Sequence, residues 1–209
     1  MQIYTGNCEG KKLDQCEAHG TGIMIASSAG WKPKKEYKRV PCALDNGAFQ
    51  CWRRGFPFMA DVFRETLAES YRVGLTLDFI VCPDIVSGGK DSLSYSMKWA
   101  NGELETAKNL ALAVQDGMTV QDVRPYLHRF AWLFVGGTLD WKWQTAKQWI
   151  DLAHSRGLKC HIGRVGTLPH LKQAQRLGAD SVDSTSFARN DSWHIIEEFQ
   201  DARQLDLVA

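Results

Sequence analysis

The sequence predicts an α/β fold, namely a (β/α)8 barrel of the TIM type that is compact or slightly irregular. Short apolar runs that end in Gly, Asp or Pro recur along the chain, and helical patterns separate the later ones. The chain has 209 residues, which suits one domain over residues 1–209. This length lies below the roughly 250 residues usual for such a barrel.

Eight apolar runs are the candidate strands of a parallel sheet. They are Gln2–Tyr4, Gly22–Ala26, Cys42–Leu44, Phe79–Cys82, Leu110–Val114, Trp132–Val135, Lys159–Ile162 and Ser181–Val182. The evidence for eight strands is weakest at the connection between the first two, because the segment between Tyr4 and Gly22 is short for a full crossover helix. An incomplete barrel or a doubly wound open sheet is therefore the alternative fold.

Four segments carry apolar residues at helical spacing. They are Phe58–Tyr71, Trp141–His154, Pro169–Leu177 and Ser192–Leu205. Pro169 suits the first turn of its helix, and Gly157 and Gly178 suit helix ends. Helices that alternate with strands predict βαβ units.

Charge and hydropathy restrict the classes of function. The net charge of +1 comes from 25 Lys+Arg against 24 Asp+Glu, which excludes a globally basic nucleic-acid binder but allows a local basic face. No run approaches 18 apolar residues, and the first residues lack the order of a signal peptide. We therefore expect an intracellular protein without a membrane segment.

The six cysteines do not have metal-ligand spacing. Several of them lie within apolar runs, where a free thiol behaves as a small hydrophobic group. Buried, reduced thiols are thus the favoured interpretation, and a metal site built from Cys8, Cys16 and His19 is a weak alternative.

Polar or glycine-rich segments follow six of the candidate strands. They are Asp45–Gly47, Pro83–Asp84, Gln115–Gly117, Gly136–Thr138, Gly163–Gly166 and Asp183. Each segment alone is typical of a turn or a helix cap. In a parallel sheet, however, all of them meet at one face, which is where barrel enzymes have their active sites. Six consecutive strand ends of this kind indicate a functional site.

The segment Leu44–Gln50 reads LDNGAFQ, and the segment Gly178–Ser186 reads GADSVDSTS. They resemble the DSGGFQ and G-(I/A)-D-x-(F/V)-D motifs of the tRNA-guanine transglycosylase superfamily, whose members exchange guanine for a 7-deazaguanine base. The likeness is greater to the short branch that acts on DNA in bacteria and phages. The resemblance implies that Asp183 is the nucleophile, that Asp45 is the general acid and base, and that Phe49 stacks on the bound base.

Three further segments resemble the family in the same order. Asp84 falls where the family has an aspartate that recognises the base. The segment Ala113–Gly117 resembles a strand ending in Gln-Gly that also reads the base, and Phe134–Gly137 resembles a Val-Gly-Gly whose backbone contacts it. The resemblance, which runs from residue 42 to 190, therefore implies a base-binding set of Asp84, Gln115, Gly136 and Gly137.

The chain also departs from the family pattern. The zinc subdomain that follows the nucleophile in the family has no counterpart here, so we expect a barrel without it. In the tRNA enzymes that subdomain supports dimerisation and tRNA binding, and its absence favours DNA as the substrate. Asn46 and Ala48 stand where the family has Ser and Gly, and Arg164 stands where the family usually has a small residue.

The chemistry of base exchange agrees with two aspartates. Breaking an N-glycosidic bond and forming it again needs a nucleophile for C1′ and a proton carrier for the two bases. Neighbouring carboxylates push their pKa values apart, so that one is protonated while the other is ionised. The reaction needs no cofactor and no metal. Its second substrate is a free 7-deazaguanine base.

A target base must leave its stack to reach such a site, which requires local positive charge to hold the backbone. The segment Trp31–Arg39 has five basic residues among nine. A solvated loop is an equally good interpretation of that segment. The predicted nucleic-acid contacts are Lys34, Lys35, Arg164 and Arg189. DNA is the expected partner, RNA is less favoured, and a protein partner or a homodimer stays open.

Three other functions are alternatives on the same scaffold. They are a catalytically inactive module that binds nucleic acid or a base, a tRNA-acting transglycosylase, and a hydrolytic N-glycosidase with water as the acceptor. The expected location is the cytoplasm of a bacterium or of a phage-infected host cell.

Overall fold

The computed structural model describes residues 1–28 and 30–208, with side chains described through residue 202. Ala29 and Ala209 of the predicted domain lie outside the described residues. Eight parallel strands follow one another in sequence order around a closed barrel, in which the first strand also pairs with the last. The predicted (β/α)8 barrel is confirmed, and the open-sheet alternative is wrong.

All eight predicted strands form, with ends that differ from the prediction by at most two residues. They are β1 (Gln2–Thr5), β2 (Gly22–Ala26), β3 (Cys42–Asp45), β4 (Leu77–Val81), β5 (Leu110–Val114), β6 (Trp132–Val135), β7 (Lys159–Ile162) and β8 (Ser181–Ser184). Each strand has only four or five residues, which is how a complete barrel fits into a short chain.

Helices follow the strands along the chain. They are α1 (Lys11–Ala18), α2 (Ala48–Arg53), α3 (Ala60–Arg72), α4 (Gly89–Asn101), α5 (Val120–Val123), α6 (Leu139–His154), α7 (Leu168–Leu177), α8 (Ser186–Arg189) and α9 (His194–Val208). Two 3-10 helices, Lys35–Arg39 and Arg124–Arg129, precede β3 and β6. Within the described chain, no helix has the length and apolar character needed to cross a bilayer.

The expectation that the first crossover is too short for a helix is wrong. Helix α1 has eight residues and joins β1 to β2 in parallel. Gly10 and Gly20 make the turns at its two ends with φ angles of 54° and 60°, a region that glycine enters without steric cost. Two tight glycine turns therefore allow a short helix to complete this crossover.

Apolar side chains alternate between two buried clusters along the strands. In β5, Leu110, Leu112 and Val114 belong to the larger cluster, which also contains helical residues, whereas Ala111 and Ala113 belong to the smaller one. Successive side chains of a strand point to opposite faces, so the smaller cluster fills the barrel lumen. The lumen cluster is Tyr4, Met24, Ala43, Phe79, Val81, Ala111, Ala113 and Trp132.

The sheet has one described irregularity, between β3 and β4. Cys42 pairs with Leu77, but Leu44 pairs with Ile80, so the register shifts between these two positions. The barrel is thus compact and slightly irregular, as the sequence predicts. The shift lies one residue before Asp45, at the rim where the candidate site forms.

Gly22 is required by packing at the start of β2. A Cβ atom there would lie 2.6 Å from the Pro41 carbonyl oxygen and 2.6 Å from the Tyr4 ring. We expect Gly22→Ala to lower the free energy of unfolding by about 1–3 kcal/mol, because overpacking forces backbone shifts. Urea denaturation followed by circular dichroism measures this change.

Gly136→Ala is the matched control, because its added Cβ would meet nothing closer than 3.5 Å. We expect its unfolding midpoint to stay near that of the wild type. Equal midpoints for Gly22→Ala and the wild type would contradict the packing argument.

Candidate active site

A cavity of about 260 Å³ opens at the carboxyl ends of the barrel strands. Eight of the predicted site residues line it: Asp45, Phe49, Asp84, Gln115, Gly136, Gly137, Arg164 and Asp183. Its volume lies below the roughly 300–1,000 Å³ typical of pockets for drug-sized ligands, so it suits a ligand smaller than a whole nucleotide. The strand ends that the sequence singles out do meet in one place.

The period of the strands directs the two main carboxylates inward. Ala43 faces the lumen, and Asp45 stands two residues further along β3. Asp183 follows the outward-facing Val182 on β8 and pairs with the lumen residue Tyr4 across the barrel closure. Both carboxylates therefore stand above the lumen cluster on the cavity wall.

The two carboxylate oxygens of Asp183 differ in their surroundings. Oδ1 accepts a hydrogen bond from the His161 Nε2 at 3.0 Å and from the Arg164 backbone N–H at 3.1 Å. Among the groups that the structure describes, none donates to Oδ2. The side chain is 14% exposed and lines the cavity. One oxygen is thus held while the other is free to meet a ligand.

His161 is a buried site residue that the sequence analysis does not identify. Its ring stacks on Phe134 with centroids 4.7 Å apart, and its Nδ1 lies 2.8 Å from the Ser181 Oγ. Burial lowers the pKa of His161, against the opposite effect of Asp183, so the ring is neutral at pH 7. A neutral ring then donates from Nε2 to Asp183 and accepts at Nδ1 from Ser181.

Asp45 has the setting of a proton carrier. Burial raises its pKa to about 7, and the neighbouring charges of Asp183 and Asp84 raise it as well. The backbone N–H groups of Asn46 and Gly47 act in the opposite direction. Near neutral pH this carboxyl therefore exists in both protonation states, as an acid–base catalyst must.

Asp84 is held by two side-chain amides. The Asn46 Nδ2 donates to Oδ1 at 2.9 Å, and the Gln115 Nε2 donates to Oδ2 at 3.1 Å. Burial raises the pKa of Asp84 to about 6, while these two hydrogen bonds lower it. Each oxygen of the carboxylate keeps a lone pair for a donor from the cavity.

Gln115 is only 3% exposed, and its amide is occupied by the protein. Besides Asp84, the Ile85 carbonyl oxygen at 2.9 Å and the Ser92 Oγ at 2.7 Å lie within hydrogen-bonding distance of its Nε2, so its two N–H groups are shared among three acceptors. Its Oε1 accepts from the Ser87 backbone N–H at 2.6 Å. The structure therefore shows Gln115 positioning Asp84 and the following loop. Direct contact between Gln115 and a base stays a prediction.

The mouth of the cavity carries a stack of three side chains. The Arg164 guanidinium lies 4.6 Å from the centroid of the Phe49 ring and donates to the Gly137 carbonyl. Phe49 in turn stacks on Trp52 with centroids 5.8 Å apart, and Trp52 is 53% exposed. This Arg164–Phe49–Trp52 stack therefore extends from the cavity wall to the protein surface.

Two glycines, Gly136 and Gly137, form part of the cavity wall. The Gly136 N–H donates to the Val114 carbonyl, which continues the sheet pattern past the end of β6. Gly137 has a φ angle of 74°, and a Cβ there would lie 2.6 Å from the Asp116 Oδ2. A side chain at Gly137 is thus excluded by both strain and space, which keeps the backbone of this turn open to the cavity.

The remaining predicted contacts lie outside the cavity wall. Lys34 forms an ion pair with Glu9 at 2.5 Å, and Lys35 is exposed at the start of a 3-10 helix. Arg189 is exposed and donates to the Thr185 Oγ1, and Thr185 does line the cavity. Arg189 is therefore adjacent to the site, whereas the structure does not bring Lys34 and Lys35 into it.

Lys142 is a second residue that the sequence analysis misses. It is fully buried on α6, and its Nζ donates to the Gly163 carbonyl. Burial and then Arg164 lower the pKa of Lys142 to about 8, against the effect of Asp183. This amine fixes the turn from which the Arg164 N–H reaches Asp183. In the sequence, Lys142 lies between Trp141 and Trp143, and this pattern does not indicate a contact with the Gly163 turn.

The weak alternative of a metal site at Cys8, Cys16 and His19 does not form. The two sulfur atoms lie 3.5 Å apart, but His19 contacts Gln15 and stacks on Trp193. Among the side chains of residues 1–28 and 30–202, no group of three or more His, Cys, Asp or Glu has a metal-binding arrangement.

No protein-family model matches this chain. No curated protein matches it either.

The raised pKa values of Asp45 and Asp84 predict a pH dependence of stability. A carboxyl whose pKa is higher in the folded state favours folding below its unfolded pKa and loses that contribution as the pH rises through its folded pKa. The pKa values of about 7 and about 6 therefore predict that wild-type stability falls between about pH 4 and pH 7. Asp45→Asn removes part of this fall, on the order of 2–3 kcal/mol between pH 5 and pH 8.

Urea denaturation of both proteins at pH 5 and pH 8 measures the difference. The exposed Asp61→Asn variant is the control, and we expect it to keep the wild-type pH dependence. An identical pH dependence in Asp45→Asn and the wild type would show that Asp45 has an ordinary pKa.

Proposed function

We propose that this protein is a DNA-guanine transglycosylase, which exchanges guanine for a 7-deazaguanine base through a covalent aspartyl-glycosyl intermediate. The observation that carries the proposal is the pairing of two unlike carboxyls in one small cavity. Asp183 has one free oxygen, and Asp45 has a pKa raised to about 7. These are the properties that a nucleophile and a proton carrier need.

In the first half of the reaction, a lone pair of the Asp183 Oδ2 forms a bond to C1′ of the nucleotide. The bond between C1′ and the guanine nitrogen breaks, and its electron pair stays on guanine. Guanine takes the Asp45 proton and leaves as a neutral base. The sugar is then held as an ester on Asp183, as in double-displacement glycosidases.

In the second half, the ring nitrogen of the incoming 7-deazaguanine base attacks C1′. It passes its proton to the Asp45 carboxylate, and the electron pair of the C1′–Oδ2 bond returns to Asp183. Both carboxyls regain their starting states, so the cycle consumes neither a proton nor an external oxidant. Every step is an acid–base or displacement step that these two side chains can perform.

Asp84 is the group best placed to recognise the base. A guanine-like edge presents an N–H and an amino group side by side, and a carboxylate accepts two parallel hydrogen bonds of this kind. Asn46 and Gln115 fix the orientation of the Asp84 carboxylate. Phe49 supplies the aromatic face on which a base stacks.

Exposed side chains around the cavity entrance support a nucleic acid as the substrate that carries the base. Trp52 lines the cavity and is exposed, and Arg53, Arg54 and Phe56 are exposed on the same segment. Exposed aromatic rings stack with unpaired bases, and guanidinium groups contact phosphates. The small cavity admits a base only after it leaves its stack. DNA, in the cytoplasm of a bacterium or a phage-infected cell, follows from the family resemblance.

The position of Arg164 favours one alternative, a non-catalytic module that binds nucleic acid or a base. The Arg164 guanidinium lies over Phe49, where a base would stack, and it also bonds to the Gly137 carbonyl. A binding module in which Arg164 covers Phe49 does not need a nucleophile. Exchange activity therefore separates the two functions.

We expect the wild-type protein to incorporate labelled guanine into double-stranded DNA, and Asp183→Asn to lose at least about 10³-fold of this rate because the amide is not a nucleophile. Scintillation counting of precipitated DNA measures the exchange, with tRNA tested in parallel. Asp180→Asn is the matched control, because this aspartate bonds to His154 and to the Cys160 N–H away from the cavity.

Label in tRNA instead of DNA would contradict the choice of substrate. Release of guanine without any added base would show a hydrolase. Binding of DNA without exchange or release would favour the non-catalytic module.

The rate of exchange should have a bell-shaped pH profile. Asp84 must be ionised to accept the donors of the base, and its pKa of about 6 sets the acid limb. Asp45 must be protonated to release guanine, so its pKa of about 7 sets the alkaline limb. These limbs report the titration of a coupled cluster, so each is an apparent value.

We expect kcat/KM for DNA to fall about tenfold per pH unit above pH 7 in the wild type. Asp45→Asn should be inactive at every pH. Initial rates between pH 5 and pH 9 test both statements, and a rate that keeps rising to pH 9 would exclude Asp45 as the acid.

A further inference from the structure

The inner face of the barrel carries a continuous hydrogen-bonded chain of three residues. The Ser181 Oγ lies 2.8 Å from the His161 Nδ1, and the His161 Nε2 lies 3.0 Å from the Asp183 Oδ1. Ser181 and Asp183 are two residues apart on β8, so both face the lumen, where His161 of β7 meets them. Neighbouring strands thus supply the whole chain.

The surroundings of His161 favour a role beyond filling space. Its ring is completely buried between aromatic rings, with centroids 4.7 Å from Phe134, 5.2 Å from Phe79 and 6.1 Å from Tyr4. A polar ring in such a place is costly unless both nitrogens are bonded. Here both are bonded, and one of the bonds ends on the carboxylate of the candidate nucleophile.

A second donor to the Asp183 Oδ1 is the backbone N–H of a strained turn. Arg164 has a φ angle of 60°, which is uncommon for a residue with a side chain, and its backbone N–H points to the Asp183 Oδ1. Lys142 holds this turn from behind through the Gly163 carbonyl. Two fixed donors on Oδ1 leave Oδ2 as the only oxygen of Asp183 that the described groups do not hold.

We propose that His161, oriented by Ser181, is a positioning residue that makes Oδ2 of Asp183 the attacking atom and stabilises the carboxylate when it leaves C1′. This role rests on the proposed function. His161 carries its Nε2 proton throughout and transfers none, so the proton balance through Asp45 is unchanged.

The two halves of the reaction depend on this hydrogen bond differently. When Oδ2 bonds to C1′, the negative charge of Asp183 disappears, and the His161 N–H then meets a neutral ester oxygen. When the C1′–Oδ2 bond breaks, the charge returns and spreads onto Oδ1, where the N–H binds it more strongly. Loss of the donor therefore raises the energy of the free carboxylate relative to the ester, which slows the departure of Asp183 from the sugar but not the attack, and the covalent intermediate accumulates.

The pair His161→Gln and His161→Asn separates this role from simple packing. The Gln amide nitrogen falls near the former Nε2 and keeps a donor for Asp183, whereas the shorter Asn side chain does not reach it. We expect His161→Asn to lower kcat about 10–100-fold with the KM for the free base within about threefold, as for loss of a hydrogen bond to a charged group. His161→Gln should stay within about fivefold of the wild type.

The covalent adduct provides a readout that a structural role would not change. Denaturing electrophoresis of quenched reactions with labelled DNA oligonucleotide measures the fraction of enzyme attached to DNA. We expect this fraction to rise in His161→Asn above the wild-type and His161→Gln values. Ser181→Ala, which loosens the ring without removing it, should give a smaller effect in the same direction. Urea midpoints of all variants report their folding.

A wild-type rate in His161→Asn would overturn the positioning role, and so would an equal loss of kcat in the Gln and Asn variants. Both results leave the exchange reaction of the wild type intact. A wild-type protein that exchanges no guanine would instead overturn the proposed function, together with this role.

Discussion

The first strand of the sheet lies beside the last, with Tyr4 opposite Asp183, and this pairing closes the barrel. Closure makes all carboxyl ends of the strands meet in one ring, and the pleat then decides which side chains point inward. Asp45, Asp183 and His161 occupy inward positions because each follows this alternation. If the closing pair moved by one residue, Asp183 would face the outer helices and the site would be lost.

The aromatic lumen below the site explains the electrostatics above it. Phe79, Trp132 and Phe134 give the cavity a floor with few polar atoms. A carboxylate above such a floor is poorly solvated, so burial is the largest cause of the raised pKa values of Asp45 and Asp84. The same low polarity strengthens the few hydrogen bonds that are present. The packing of the core and the chemistry of the site are thus two effects of one set of side chains.

Local patterns in the sequence predicted the strands, their parallel order and the ring of polar strand ends. These features depend on neighbours within a few residues, such as the apolar runs of β5 and β6 or Asp183 at the end of β8. His161 and Lys142 were missed because their partners are remote in the chain, at Asp183 and Gly163, and because both lie among apolar residues. The occupied amide of Gln115 was also beyond prediction, since its partners lie 28 and 23 residues away, Ser87 in a loop and Ser92 in α4, and only the folded chain brings them together.

The Arg164–Phe49–Trp52 stack has a consequence for turnover. In the proposed reaction, a base that stacks on Phe49 takes the place of the guanidinium there, so its binding first breaks a contact within the protein. The free energy of that contact is subtracted from the affinity for the departing base and for the arriving base alike. An enzyme that must release one base to admit the next benefits from this competition, because tight binding of either base would leave the site occupied. In the proposed reaction, Arg164 thus acts as an internal competitor that keeps product release fast.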